Sequence, residues 1–247
     1  MVYKRLERIL IQLDSVDSTN SYASQMLRST KPKSGTIIRA LDQHSGRGQR
    51  STTWTSEPGK NLTFSVILLP ELKTRHAFYL NIVAGLAVRK TLEDIGIQSS
   101  IKWPNDILIG RKKVAGILVE NQISGENVRS SVIGFGINVN QEDFEALSTA
   151  TSLKNELLGK DVDLNDLLNQ LYGYLDFYYN LLLESNFELL KKHYYKHLYL
   201  KDELAPFRDA DGEFEGRITG IDENGLLQIK VGDKIRRYDI KEVHYSY

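Results

Sequence analysis

Apolar and polar positions along this chain repeat with two periods, and the changes of period mark its elements. The run GTIIRALDQ (35–43) has the β-branched density of a buried strand. NLTFSVILLP (61–70) predicts a second strand, ended by Pro70. From Thr74 to Ile95 the spacing lengthens: Tyr79, Ile82, Val83 and Leu86 recur at helical intervals, and Gly96 stands where a helix commonly stops. SSIKWPNDILIG and KKVAGILVE read as strand, turn and strand, with Gly110 as punctuation. VRSSVIGFGINVN (128–140) is a further strand with a glycine-rich end. Residues 164–200 return to helical spacing, and Leu164, Leu167, Leu168, Leu171, Leu175 and Leu182 form one apolar face.

Past Leu200 the pattern changes. FEGRITGIDENGLLQIKVGDKIRRYDIKEVHY consists of short alternating strands, with turns at Asp222–Gly225 and Gly232–Asp233. The pattern predicts a mixed α/β (α+β) domain over 1–200 and a small all-β module over 201–247.

Composition narrows the function classes. The 247 residues carry 32 basic and 32 acidic side chains, so no bulk positive charge draws in nucleic acid, and DNA binding is not expected as the main activity. The absence of cysteine removes disulfides, thiolate metal sites and thiol nucleophiles. The N-terminus has apolar residues broken by charges, unlike a signal peptide, and no run approaches the ~18 apolar residues that span a bilayer. A soluble, cytoplasmic protein without membrane partners is expected.

Four segments carry candidate chemistry. DQHSGRGQRSTTW (42–54) places Arg47 and Arg50 beside Gly46 and Gly48, where a backbone of small residues can approach an anion closely. It matches neither common phosphate loop. Ser51 stands where a dinucleotide fingerprint has its third glycine, and PGKN lacks the hydroxyl of a Walker lysine. An exposed hairpin with solvated charges is the plain alternative. In KWPNDILIGRKKVAGIL (102–118), Asn105 and Asp106 suit a turn after Pro104. An aromatic, an amide and a carboxylate there lie beside Lys102, Lys112 and Lys113, and Ala115 and Gly116 permit close approach. VDSTNSYASQML (16–27) starts a helix, and its hydroxyls and amide either cap the helix or face a small polar ligand. GFGINVN (134–140) is a strand that bulges at glycine or admits a flat ring read by Asn138. His193 and His197 have a metal-ligand spacing, but Tyr194 stands where a zinc protease has glutamate, and no third ligand is evident; no metal site is expected.

The order of these segments resembles biotin–protein ligases. The resemblance rests on Asp17-Ser18-Thr19-Asn20, Gly46-Arg47-Gly48-Gln49-Arg50 with Trp54, Lys102-Trp103-Pro104-Asn105-Asp106, Lys113-Val114-Ala115-Gly116-Ile117-Leu118 and Gly134-Phe135-Gly136-Ile137-Asn138-Val139. It implies a class II synthetase-like, mixed-sheet catalytic domain with an SH3-like C-terminal barrel. It also implies the short, non-repressor class, since no winged-helix segment precedes the motifs.

The implied activity joins biotin and ATP, with Mg²⁺, into biotinyl-5′-AMP, and then passes the acyl group to a lysine of a biotin carboxyl carrier domain. By resemblance, Ser18, Thr19, Asn20 and Gln43 hold the ureido ring. Arg47, Gly48, Gln49, Lys113 and Gly116 complete the biotin site along the carboxylate. Arg50, Trp54, Lys102, Asn105 and Asn138 face the nucleotide. Arg47 and Lys113 are the expected catalytic cations, with Asp106 as proton acceptor. The loop departs from the fullest family pattern, which has arginine for Gln49 and glycine for Ser51. A lipoate–protein ligase and a non-catalytic biotin sensor are the competing readings. The polar groups at 18, 19, 20 and 43 weigh against the first, and the phosphate-facing cations against the second. A homodimer through an exposed sheet edge is compatible with the fold class.

Overall fold

Residues 6–49, 52–144 and 149–246 are described by the computed structural model of the chain. Its centre is one sheet. β1 (Ile9–Val16) passes through α1 (Thr19–Ser29) into β2 (Thr36–Gln43), a parallel pair for which the helix is the required crossover. A two-stranded hairpin, β3 (Gly46–Arg47) and β4 (Thr53–Trp54), precedes β5 (Leu62–Leu68) and the short β6 (Leu72–Lys73). After α2 (Tyr79–Asp94) come β7 (Ser100–Lys102), β8 (Asp106–Ile109), β9 (Lys112–Ser124) and β10 (Asn127–Ile137). The sheet order is β1-β2-β5-β10-β9-β8-β7, with β6 beside β10, and every pair but the first is antiparallel.

Alternation along the strands gives the sheet two unlike faces. Ile133, Phe135 and Ile137 of β10 enter the large core, where Phe135 stacks on Phe64 at 4.7 Å. That face is covered by α2 and by α4 (Leu164–Leu183) and α5 (Phe187–Lys196), which follow the single-turn α3 (Leu153–Glu156). On the opposite face, Val132 joins Ile38, Ile67 and Ala23 of α1 in a small cluster. Gly134 and Gly136 share that thinly covered face.

Two sequence expectations need correction. The helical run 164–200 is two helices, because the chain turns at Ser185 with φ +59° between α4 and α5. Ser185 and Asn186 are residues whose side chains compete with helical backbone bonds. β1 went unpredicted because ILIQLDSV is a half-exposed strand, with Ile9 and Leu10 facing solvent, so its apolar pattern is weak.

The C-terminal strands are β11 (Leu204–Asp209), β12 (Gly212–Ile221), β13 (Leu227–Val231), β14 (Lys234–Tyr238) and β15 (His244–Tyr245). They form an antiparallel sheet in the order β14-β13-β12-β11-β15, consistent with an SH3-like module. Gly225 (φ +86°) and Gly232 (φ +56°) make the two turns expected from sequence. The module shares the large core: Ala205, Phe207, Ile218 and Leu227 are continuous with Ile101 and Leu198. Trp103, buried, donates its indole N–H to the buried Gly225 carbonyl at 2.9 Å. Trp103→Phe keeps an aromatic ring but removes the indole N–H and part of the buried surface and strands that carbonyl, so unfolding free energy should fall by about 1–3 kcal/mol or more. Urea denaturation checks this; no change would mean that neither the hydrogen bond nor the indole holds the joint.

Candidate active site

Strand register builds a cleft on the α1 face. Ala40, Thr63, Gly136, Gly116 and Asp106 are successive cross-strand partners over β2, β5, β10, β9 and β8. The next row is Ile38, Ser65, Gly134 and Leu118. Small and polar side chains in these rows leave room for a cleft of about 370 Å³. The two glycines of GFG are needed here. A methyl group at Gly134 would overlap Asn20 Oδ1, and one at Gly136 would overlap the Trp54 ring.

One end of the cleft is the start of α1. Ser18 caps the helix, its Oγ accepting from Ser21 N at 3.4 Å. Gln43 Oε1 lies 2.9 Å from Thr19 N and 3.2 Å from Thr19 Oγ1. Asn20 Nδ2 donates to Glu120 Oε2 at 2.7 Å and to the Leu118 carbonyl at 3.3 Å. The Ser65 hydroxyl lies 2.7 Å from Thr19 Oγ1 and 2.6 Å from Asn20 Oδ1. Ser18, Thr19, Asn20 and Ser65 are all buried, so a chain of satisfied polar groups is preorganised without the help of bulk water.

The β3–β4 hairpin lies over the cleft, with Gly46 opposite Trp54 and Arg47 opposite Thr53. Gly48 N donates to Thr52 O at 2.6 Å, and Gln49 O accepts from Thr52 N at 3.2 Å. Arg47 Nη2 reaches Glu120 Oε2 at 2.9 Å, the same oxygen that takes Asn20. Glu120 is therefore the resident counter-ion of Arg47.

At the other end, Lys113 Nζ sits 2.6 Å from Asp106 Oδ1 and 5.5 Å from the Trp54 ring centroid. Trp54 lies against Gly136 and Gly116, and its buried indole N–H has no partner among the described residues, so this donor is available to a ligand. Asn105 Nδ2 donates to the Ile117 carbonyl at 2.8 Å and its own carbonyl accepts from Ile117 N at 2.9 Å, which pins the turn to β9. Lys102 also lines this end, and burial pushes its ammonium pKa below the usual lysine range, partly offset by Asp106.

Ser18, Thr19, Asn20, Gln43, Arg47, Gly48, Gln49, Trp54, Lys102, Asn105, Asp106, Lys113 and Gly116 thus all line one cleft. Asn138 does not join them. It is buried, and its side-chain amide donates to the Thr151 carbonyl at 3.0 Å, bracing the chain after β10. Arg50 and Ser51 fall outside the described residues. His193 packs edge-on to Tyr178. Burial, with Arg89 nearby, lowers His197 to about 4, so it is neutral at pH 7. Sequence reasoning missed Thr63 and the C-terminal stretch around His244 and Tyr245, which line the cleft, and also Ser65 and Glu120, which bond the residues that line it. The polar alternation within LTFSVIL was a usable signal for Thr63 and Ser65; the C-terminal contribution had none.

A family model for the biotin/lipoate A/B protein ligases matches residues 13–138, and one for the biotin protein ligase C-terminal domain matches 207–240. The bifunctional ligase/repressor BirA of Bacillus subtilis is 34% identical over 233 residues, covering 92% of this chain and 71% of that protein. The biotin–[acetyl-CoA-carboxylase] ligase of Paracoccus denitrificans is 34% identical over 130 residues, 51% of this chain and 53% of that protein. The solved structure of the biotin protein ligase of Aquifex aeolicus in complex with biotin and ATP has a TM-score of 0.81 and 30% identity, covering 97% of this chain and 100% of that one.

Proposed function

The chain belongs to the biotin/lipoate A/B protein ligase family, and from that premise we propose that it is an ATP-dependent biotin–protein ligase acting on a lysine of a carboxylase carrier domain. The observation that carries the reading is the polarity of the cleft: a hydrogen-bonding shelf of Thr19, Asn20, Gln43 and Ser65 at one end, cations Arg47 and Lys113 beyond it. A ureido ring supplies donors and acceptors to such a shelf. A dithiolane offers such a shelf no hydrogen-bonding partner, which disfavours lipoate.

In the first half-reaction a biotin carboxylate oxygen attacks the α-phosphorus of ATP, and the bond to the leaving pyrophosphate breaks. Two anions must approach, so the chemistry is limited by charge. Arg47 and Lys113, fixed before the substrates arrive, offset both the approach and the charge that develops on pyrophosphate. Mg²⁺ would accompany the triphosphate and share its negative charge. The cleft suits a metal held chiefly by phosphate, since Asp106 is the carboxylate at that end and no cluster of three metal-ligating side chains exists among the described residues.

In the second half-reaction a neutral lysine amine attacks the acyl carbon, AMP departs, and the amine releases a proton, for which Asp106 is our candidate acceptor. The β3–β4 hairpin would cover the mixed anhydride and keep water from it. We assign catalysis to 1–200 and the small module to 201–247.

Zero net charge supports a protein substrate without DNA. No helix of the described residues is long and apolar enough to cross a membrane, which supports a cytoplasmic setting. The exposed edge strand β1 supports pairing of two copies. The reading is tested by incubating the protein with labelled biotin, ATP and an apo carrier domain. Label should enter the carrier and be absent from one whose acceptor lysine is arginine; label in both would refute specific ligation.

A further inference from the structure

Glu120 touches both the start of α1 and the β3–β4 hairpin. Its Oε2 accepts from Asn20 Nδ2 at 2.7 Å and from Arg47 Nη2 at 2.9 Å, so one oxygen joins an amide of the helix to a cation of the hairpin. Asn20 cannot move to suit the hairpin. It is buried, its side-chain amide also donates to the Leu118 carbonyl at 3.3 Å, and the Ser65 hydroxyl lies 2.6 Å from its Oδ1. Gly134 closes the space behind that oxygen, where a methyl group would come within 2.3 Å. Glu120 itself is fixed in β9 opposite Val132, whose side chain packs with Ala23 of α1.

Arg47 has no such support of its own. It stands in a strand of two residues, and among the described residues its guanidinium has no hydrogen-bond partner other than Glu120. An unheld arginine side chain samples many rotamers, and each one that leaves the cleft removes the cation from the reaction. The pair adds little to stability, because the two side chains are 46% and 35% exposed and solvent screens them. Its consequence is geometric. A carboxylate set by a buried amide gives the guanidinium a fixed direction, and precise placement of a reacting charge is worth large factors in rate. The fork also has donors to spare: with Nη2 turned to Glu120, Nη1 and Nε remain for anions in the cleft.

Building on the ligase reading, in which Arg47 offsets charge while biotin is activated, we propose that Glu120 is a positioning residue for that step. Through its shared oxygen, the polar shelf at the start of α1 sets where the Arg47 cation stands before either substrate arrives. Glu120 acts through Arg47 and takes no proton.

The test uses the full chain with Glu120→Ala, Glu120→Gln, Arg47→Ala and the double alanine variant, reading kcat of biotin-dependent ATP–pyrophosphate exchange at saturating biotin and ATP. Glu120→Ala should lower kcat about tenfold to thirtyfold, whereas Glu120→Gln, which keeps an acceptor oxygen at the same reach, should stay within about threefold of the parent. In the Arg47→Ala background the loss of Glu120 should have no further effect. Trypsin reads the tether without turnover, since it must draw the Arg47 side chain away from Glu120. Cleavage after Arg47 should run about threefold to tenfold faster in Glu120→Ala than in the parent.

A normal kcat in Glu120→Ala would overturn the proposal. So would a raised one, which would mean that Glu120 competes with the substrates for Arg47. An equal loss with and without Arg47 would overturn it as a purely structural role, and an equal loss in Glu120→Gln and Glu120→Ala as an effect of charge alone. Unchanged cleavage after Arg47 would refute the tether itself. A parent without biotin-dependent exchange would instead refute the ligase reading on which the proposal rests, and the cleavage rates would still decide whether Glu120 holds Arg47.

Discussion

Lys113→Met should lower biotin-dependent ATP–pyrophosphate exchange by about two to three orders of magnitude, the scale of removing one preorganised charge from a transition state. Stability should change little. The Lys113–Asp106 pair is partly exposed, with side-chain exposures of 35% and 24%, and such pairs contribute on the order of 1 kcal/mol or less. The loss is compounded because Asp106 is left unpaired where two other anions must meet. Adding Asp106→Asn to Lys113→Met should therefore recover roughly tenfold of the lost exchange rate. Lys113→Arg is not expected to rescue fully. Gly116 and the Trp54 ring crowd the Nζ position, with Gly116 so placed that a methyl on it would lie 3.2 Å from Nζ. A guanidinium fork needs more width than an ammonium. Exchange assays and thermal melts on the variants decide this; full exchange in Lys113→Met would remove Lys113 from the chemistry.

The second large effect is expected at Gly134. Alanine there overlaps Asn20, a buried residue bonded to Ser65, the Leu118 carbonyl and Glu120, with no free side-chain end to swing aside. Either the first turn of α1 lifts or the hydrogen-bond chain breaks. Biotin affinity should fall roughly 100-fold, and unfolding free energy by about 1–3 kcal/mol. Gly173 in α4 is the control. It is exposed and a methyl group there meets nothing within 4 Å, so Gly173→Ala should stabilise by roughly 0.5–1 kcal/mol and leave biotin binding unchanged. Calorimetric titration and denaturation of the two alanine variants provide the comparison; normal biotin affinity in Gly134→Ala would contradict the floor assigned here.

What the sequence revealed follows from how each signal is encoded. Buried strands such as β2 and β5 are legible because continuous β-branched runs have few other uses. β1 is not, since an edge strand with exposed Ile9 and Leu10 needs no clean pattern. The leucine face of α4 was clear, but the local turn at Ser185 was hidden by helical spacing that resumes immediately in α5. At the site, the ordered motifs named most of the cleft because each supplies its own residues to one face. Partnerships across the fold were illegible: Glu120 joining Arg47 to Asn20 spans 73 and 100 positions, and Trp103 meets Gly225 across 122. Asn138 shows the converse. It stands in a motif beside residues of the cleft floor, yet it lies one residue past the end of β10 and its side chain bonds the Thr151 carbonyl.

The central claim is that one cleft activates biotin in preference to other acids, and its most direct test is acid-dependent ATP–pyrophosphate exchange by the purified protein with Mg²⁺, comparing biotin, lipoate and octanoate. Exchange with biotin and background rates with the other two acids are expected. Exchange with lipoate or octanoate but not biotin would contradict the polar-shelf reading, and tight biotin binding without exchange would contradict the ligase itself.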